Sequence, residues 1–397
     1  MSRNLILTII TFFIASAFSF TPAQGAEERL QASLITCYPG PEVYELAGHE
    51  AIRIHGIDSR GIPVDSVWNY GVFDFTAPNF IWRFVKGETD YMVWGYPFAY
   101  FLPEYEKRGS KVVEQNLNFT PQEVKVLRAL LQLNALPQNR FYRYNYVRDN
   151  CSTRIVDIID AAVEPRRIVY PDSTDFGSFR GAMRYYHKNY PWYQFGIDLA
   201  LGGGIDLPIS AREELFAPLI FEQKATNAHF DDGAPLISST TVLYDGRDCI
   251  LPPTPWYLTP MAASLLVMAV SLCISFYQWK RGRIIKWWNT LFFSLLGLGG
   301  CVVWFLVFCS SHDSTSPNLL SLWLNPLQFV MAICIWWRHT RAAALGMSVV
   351  NLIVLVTLTA VWPLQVQSAN PAVFPLWAAT FALSLSYAMV HYKSSKH

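Results

Sequence analysis

The spacing of hydrophobic positions changes twice along the chain. From residue 256 onward they merge into five almost uninterrupted stretches, 256–278, 287–309, 319–337, 342–363 and 371–391. Each is long enough to cross about 30 Å of hydrocarbon as a helix, which predicts an all-α membrane domain of about five transmembrane helices over 256–397. Another apolar run, 5–20, follows Arg3 and gives way to Thr21-Pro22-Ala23-Gln24-Gly25. A short positive start, an apolar centre and small closing residues predict a signal peptide over 1–25, cleaved after Gly25, with an uncleaved anchor as the alternative. No Cys follows this run, so the chain is not itself expected to carry a lipid.

Between these regions the apolar positions are spaced as in a water-soluble fold. Residues 51–55 alternate, 67–73 are aromatic and β-branched, and 91–94 and 111–119 read similarly, so all four predict strands. Thr120-Pro121-Gln122-Glu123 is a capping box with proline at the first helical position, predicting a helix to about 136. Asp149-Asn150 caps a second predicted helix, 151–162, with Ile155, Ile158 and Ile159 on one face and Pro165 beyond its end. Mixed order of this kind predicts an α+β domain over 26–225. Residues 190–221 are apolar enough to lean on a bilayer or to pack inside the domain, and 226–255 read as a polar connector.

Charge sharpens the division. The whole chain is 52% hydrophobic and 15% charged with net charge +1, which argues against an ordinary cytosolic enzyme and against a nucleic-acid partner. Residues 256–397 hold eight Lys/Arg and one acid, Asp313. The basic residues gather in alternate loops: Lys280, Arg281, Arg283 and Lys286, then Arg338 and Arg341, then Lys393 and Lys396. Loops 310–318 and 364–370 have none, which places the basic loops and the C-terminus in the cytoplasm and residues before 256 outside, as the signal segment requires. The expected location is the bacterial inner membrane, multi-pass, with the folded domain periplasmic. No Asp, Glu, Lys or Arg lies inside a predicted span, which argues against a transporter. The loop at 310–313 is read as touching a lipid headgroup or as simply solvated, and Asn351 as a packing residue, with a hydrogen bond between helices as the alternative.

Chemistry concentrates outside the spans. Cys37, Cys151 and Cys249 precede residue 256, and Cys37 with Cys249 is a possible disulfide. Cys151 stands at the first turn of a capped helix, where free N–H groups and the helix dipole favour a thiolate and would cradle an oxyanion. Arg148 and Arg154 flank it and are expected to lower its pKa further; a buried structural Cys is the plain alternative. The base is read as His49, which enters a strand just after a loop. His55 shares its strand parity, but no third ligand is evident, so neither metal nor other cofactor is expected. Asn69, on the next strand, is the choice for orienting His49, with His55, Glu50 and Asp74 as competitors.

At these residues a family resemblance emerges. Gly48-His49-Glu50-Ala51-Ile52-Arg53, the run 68–75 and Asp149-Asn150-Cys151-Ser152-Thr153-Arg154 resemble the N-terminal domain of the bacterial lipoprotein N-acyltransferase family Lnb. That family resembles permuted papain-like enzymes of the NlpC type, in which His precedes Cys, and it is related in layout to lecithin retinol acyltransferase. The resemblance covers most of 30–225. It implies a permuted papain-like periplasmic domain with Cys151 as nucleophile and His49 as base; Asn69 rests on the spacing argument.

The implied reaction moves an acyl chain from a phospholipid donor, through a Cys151 thioester, to the N-terminal amine of a diacylglyceryl lipoprotein acceptor. Tyr38 or Tyr44 is expected to assist the oxyanion. The run Arg140-Phe141-Tyr142-Arg143-Tyr144 is read either as holding the lipid phosphate or as a structural loop. An NlpC-type thiol peptidase or amidase of the cell envelope is a second reading, which the five spans disfavour. A non-enzymatic sensor or scaffold is a third.

Overall fold

The structure is a computed structural model that describes residues 28–40, 42, 45–74, 76–246 and 252–394. The expected signal segment, Tyr44 and Cys249 therefore lie outside the described residues. The N-terminal half is built on a seven-stranded antiparallel sheet in the order β6-β4-β3-β2-β1-β5-β9. Its centre is β1 (Arg29–Cys37), β2 (His49–Ile57) and β3 (Pro63–Val72), joined consecutively. Alternation along β2 sends Ile52 and Ile54 to one face and Ala51 to the other, and both faces are buried.

Three helices cover those faces. On one side lie α3 (Pro121–Asn134) and α4 (Cys151–Val163), which set Leu127, Leu131, Ile155 and Ile159 against Ile52 and Ile54. On the other, α2 (Phe98–Arg108) places Phe98, Phe101 and Tyr105 over Ile35, Ala51 and Val67. Thr120 starts α3 with the expected reciprocal capping box to Glu123. The remaining sheet strands are β4 (Asp90–Pro97), β5 (Val112–Leu117) and β6 (Phe141–Arg143), and a seven-residue helix, α1 (Phe80–Lys86), links β3 to β4.

One expected boundary changes. Residues 226–255 are not only a connector, because β9 (Ile237–Tyr244) pairs antiparallel with β5 and closes the sheet edge. Its Ser238-Ser239-Thr240-Thr241 sequence shows no apolar alternation because the strand is mostly exposed. After α4 come a two-stranded ribbon of β7 (Ile168–Val169) with β8 (His229–Phe230), and the helices α5 (Phe179–Tyr186), α6 (Pro191–Ala200) and α7 (Pro218–Thr226).

Among the described residues four helices are long and apolar enough to span: α8 (Pro260–Arg281), α9 (Lys286–Phe308), α11 (Arg341–Val361) and α12 (Val373–Ser394). The stretch 319–337, expected as a continuous helix, is broken. It forms a single turn at Leu319–Leu322, then irregular backbone around Asn325-Pro326, then the seven-residue α10 (Gln328–Cys334). Its ends lie at opposite ends of α9, for Leu319 N–H bonds Gln367 at the sheet-domain side while Lys286 bonds the Trp336 carbonyl at the far side. Freed carbonyls at this depth need partners. Trp304 donates to Ser321 O, Gln328 to Trp323 O, and Asn325 to Leu322 O. Gly300 on α9 makes room, since a Cβ there would stand 2.3 Å from the Asn325 backbone. Asn351 does more than pack: it hydrogen-bonds between helices, exchanging amide hydrogen bonds with Gln328 of α10 at 2.9 and 3.1 Å.

The two halves are fastened at several points. Gly202 and Gly203 N–H groups bond Ser314 and Pro317 carbonyls at 2.9 Å. Arg184 reaches Ser368, and Asn370 donates to Asp198, which also pairs with the buried Arg180. The 190–221 segment contributes Phe195 and Leu199 of α6 to the apolar core of the membrane helices. Loop 310–318 is tied down although Ser311 and Asp313 stay exposed: Ser311 N–H bonds Lys86 O, and Asp313 accepts from Asn145 at 2.8 Å.

Candidate active site

Local capping fixes Cys151 at the first position of α4. The Asn150 side-chain oxygen accepts from the Ser152 and Thr153 N–H groups at 2.9 and 3.0 Å, while its amide nitrogen is tied to Tyr146 and Phe216 carbonyls at 2.8 Å. Cys151 is 7% exposed. His49 opens β2, and Ala51 lies opposite Asn69 on β3, so the β2–β3 register brings Asn69 to the same face as His49. Their side chains meet, with His49 Nε2 2.6 Å from Asn69 Oδ1.

That contact sets the tautomer. An amide oxygen can only accept, so Nε2 carries the hydrogen and Nδ1 keeps the lone pair of a neutral ring. Asn69 is held in this orientation by its own amide, which donates to the Tyr96 hydroxyl at 3.4 Å. Tyr105 of α2 lies parallel to the imidazole, with centroids 6.4 Å apart.

The register of β3 shifts after Asn69, and Gly71 sits in the shifted turn with φ +86°. A Cβ at Gly71 would lie 3.7 Å from Cys151 Cβ and 4.0 Å from His49 Cε1. Cys151 and the His49–Asn69 pair therefore flank one point at the end of the sheet, and only a glycine leaves it open.

Electrostatically this is a neutral site. Burial pushes the Cys151 thiol up to about 11, although backbone hydrogen bonds from Glu50, Ser152 and Cys151 itself pull the other way. Burial likewise lowers His49, against its hydrogen bond to Asn69. The expected acidification by flanking arginines does not occur, because both guanidiniums are engaged elsewhere. Arg154 pairs with Asp149 and lies over the Tyr142 ring, and Arg148 faces Asp313 at 3.7 Å.

The competitors for the third role sit apart from His49 Nε2. His55 is six residues along the strand, on the order of 20 Å at ~3.3 Å per residue, and lies 3.9 Å from Glu114. Asp74 closes a local turn with Thr76. Glu50 is fully buried on the opposite face, where Thr36 donates to it at 2.9 Å and desolvation raises its pKa. Cys37 is buried as well, and its potential partner Cys249 is outside the described residues.

Sequence reasoning missed the placement of Tyr142. Within residues 140–144, Arg143 bonds Gly87 O and pairs with Asp90, and Arg140 lies over Trp94. Phe141–Arg143 of the run form strand β6, which turns Tyr142 inward. Its hydroxyl is buried and faces the Gly71 backbone, 4.0 Å from the point a Cβ there would occupy. No apolar alternation announced it, because Phe141 is exposed on the same side as Arg143 and only Tyr142 is buried. Tyr38, the expected oxyanion helper, bonds Glu222 instead.

Cys151, His49 and Asn69 line one cavity of about 620 Å³. Its polar end holds Glu45, Glu104, Arg108 and Ser110. The other end is aromatic, with Phe73, Phe80, Phe84, Tyr91 and Tyr144, and reaches His312 in the loop that follows α9. Such a volume lies within the ~300–1,000 Å³ of small-molecule sites.

Comparison with protein families gives two matches. The Lnb N-terminal periplasmic domain matches residues 22–173, and the Lnb transmembrane domain matches residues 253–395. No curated protein and no solved structure matches the chain.

Proposed function

The chain belongs to the Lnb family and is a membrane protein with a periplasmic domain, and from that premise we propose that it is a lipoprotein N-acyltransferase of the bacterial inner membrane, with its C-terminus in the cytoplasm. The acyl donor is a phospholipid, and the acceptor is the free amine of a diacylglyceryl-cysteine lipoprotein. The layout of the catalytic pair is that of a permuted papain-like site. The observation that carries this reading is the single cavity with Cys151, His49 and Asn69 at one place and membrane-side residues at another.

A neutral thiol beside a neutral imidazole calls for general-base catalysis, not for a standing ion pair. His49 Nδ1 takes the Cys151 proton as sulfur attacks the ester carbonyl carbon of the phospholipid. The negative charge on the carbonyl oxygen is met by the Cys151 N–H at the helix start and by the Tyr142 hydroxyl proton. As the tetrahedral adduct collapses, the C–O bond breaks and His49 returns the proton to the departing lysolipid oxygen. The lipoprotein amine then attacks the thioester, His49 accepts its proton, the amide forms and Cys151 leaves as the thiol. Asn69 keeps the ring in the tautomer that both halves need.

The test is to express wild type, Cys151→Ala and His49→Ala in cells that lack their own N-acylating enzyme and to read lipoprotein N-termini by mass spectrometry. Wild type restores the N-acyl group and both variants fail to. Free amines in cells with wild type would refute the reaction, and acylation by Cys151→Ala would refute the assignment of the nucleophile.

A further inference from the structure

Helix α1 is unlike the rest of the sheet domain. None of its seven residues is buried, and Ile81 and Trp82 are 78% and 57% exposed. An apolar helix left in water would be unfavourable, so its surroundings decide its role. Trp82 rests on Phe305 near the sheet-domain end of α9, with centroids 5.2 Å apart. At its C-terminal end Lys86 O accepts from Ser311, and the Phe84 carbonyl is 3.1 Å from His312 Nε2. The helix is thus pinned at the level where α9 leaves the membrane. One side faces outward with Ile81 and Trp82; the other sends Phe80 and Phe84 into the cavity that holds Cys151.

We propose that α1 is a lip seated in the outer leaflet and that the aromatic end of the cavity is a fatty-acyl subsite, through which a chain passes from the bilayer to Cys151. The proposal rests on the acyltransferase reading and adds where the donor's chain lies. Phe73, Phe80, Phe84, Tyr91 and Tyr144 offer ring surface and no charge, which suits methylenes and not a headgroup. Phe80 links the wall, stacking on Phe73 at 5.7 Å and on Phe84 at 6.2 Å. The ester then reaches Cys151 while the polar headgroup stays near the membrane surface.

The experiment supplies the full-length protein with nanodisc phospholipids bearing an equal mixture of hexadecanoyl and decanoyl chains, and reads the acyl mass on Cys151 by intact-protein mass spectrometry. Wild type favours hexadecanoyl at least tenfold: both chains leave the same hydrocarbon, and only the longer one fills the aromatic wall, whose ring contacts decanoyl leaves partly unmade. Phe84→Trp narrows the subsite and brings that ratio towards one or reverses it. Ile81→Asp, outside the cavity, slows acylation from nanodiscs about tenfold relative to acylation from the same lipid dispersed in detergent. A wild-type ratio near one, or a ratio unaltered in Phe84→Trp, overturns the subsite; an Ile81→Asp rate equal to wild type in nanodiscs overturns the lip. Lipoproteins N-acylated with an unaltered ratio would sink the subsite alone. Selective Cys151 acylation without transfer to any lipoprotein amine would sink the transferase reading and leave the subsite standing.

Discussion

Alkylating Cys151 with iodoacetamide across pH 6 to 11, in wild type and in His49→Ala, tests the resting protonation state. With the thiol held up to about 11, about one molecule in 10⁴ carries a thiolate at pH 7, a cost of ~5 kcal/mol at about 1.36 kcal/mol per unit. Only the thiolate reacts. The rate at Cys151, followed by peptide mass spectrometry so that other cysteines do not interfere, therefore climbs about tenfold per pH unit until it levels near the thiol's own pKa. His49→Ala keeps that slope, because a neutral ring contributes no positive charge to lose. A thiolate–imidazolium pair behaves oppositely: it plateaus below pH 8, and removing His49 moves the plateau upward by units. A wild-type plateau below pH 8 would refute the neutral pair. The same protonation states fix the pH dependence of turnover. His49 works unprotonated, and burial holds its pKa below the ordinary value of about 6.5. Activity falls only as pH drops through that lower value and shows no alkaline loss from the thiol between neutrality and pH 9.

Three further outcomes follow from the contacts. Asn69→Ala frees the His49 tautomer and lowers kcat by roughly 10²-fold with little change in KM, read with a phospholipid donor at fixed acceptor. Arg180→Ala removes the guanidinium that bonds Asp198 and Asp206 at 2.8 and 2.9 Å in the buried seam between the domains, leaving Asp198 only Arg184 and Asn370. It costs about 3–5 kcal/mol, seen as a Tm lower by roughly 10 °C in detergent; a Tm within error of wild type contradicts the network's role. Gly300→Val drives a side chain into the Asn325 backbone, only 2.3 Å from the added Cβ. Expected is failure to accumulate in the membrane, whereas Val302→Ala on the exposed side of the same helix accumulates normally.

Much of the site could be read from residue order because local rules govern its parts. Asn150 before Cys151 is a cap, and caps are nearly independent of tertiary context. The shared face of His49 and Asn69 followed from strand parity, which a two-residue period enforces. What was not legible depended on distant partners. Arg148 and Arg154 sit close to Cys151 in sequence, yet Asp313 and Asp149 hold their charges elsewhere. The inward turn of Tyr142 is set by pairing to β4, which three residues cannot announce. Strand β9 hid because an exposed edge needs no apolar alternation. The broken stretch at 319–337 hid for the opposite reason: composition fixes that a segment is apolar, but Asn325-Pro326 against Gly300 decides that it is not one helix.

The fastening of the sheet domain to loops 310–318 and 364–370 bears on the order of events. A domain clamped by the Gly202–Gly203 turn, Arg184 and Asp198 does not swing out to fetch its partners; it stands at one altitude over the bilayer. If Cys151 is the nucleophile proposed above, it acts like a fixed stylus, reading whichever bond is carried beneath it at that height. On the proposed reaction, donor and acceptor would have to call at the same berth in turn, delivered by lateral diffusion, with the thioester waiting between their visits. Selection in such an arrangement is by depth along the membrane normal. An ester a few ångströms too deep or an amine on too short a tether passes by unmodified, however well it would fit.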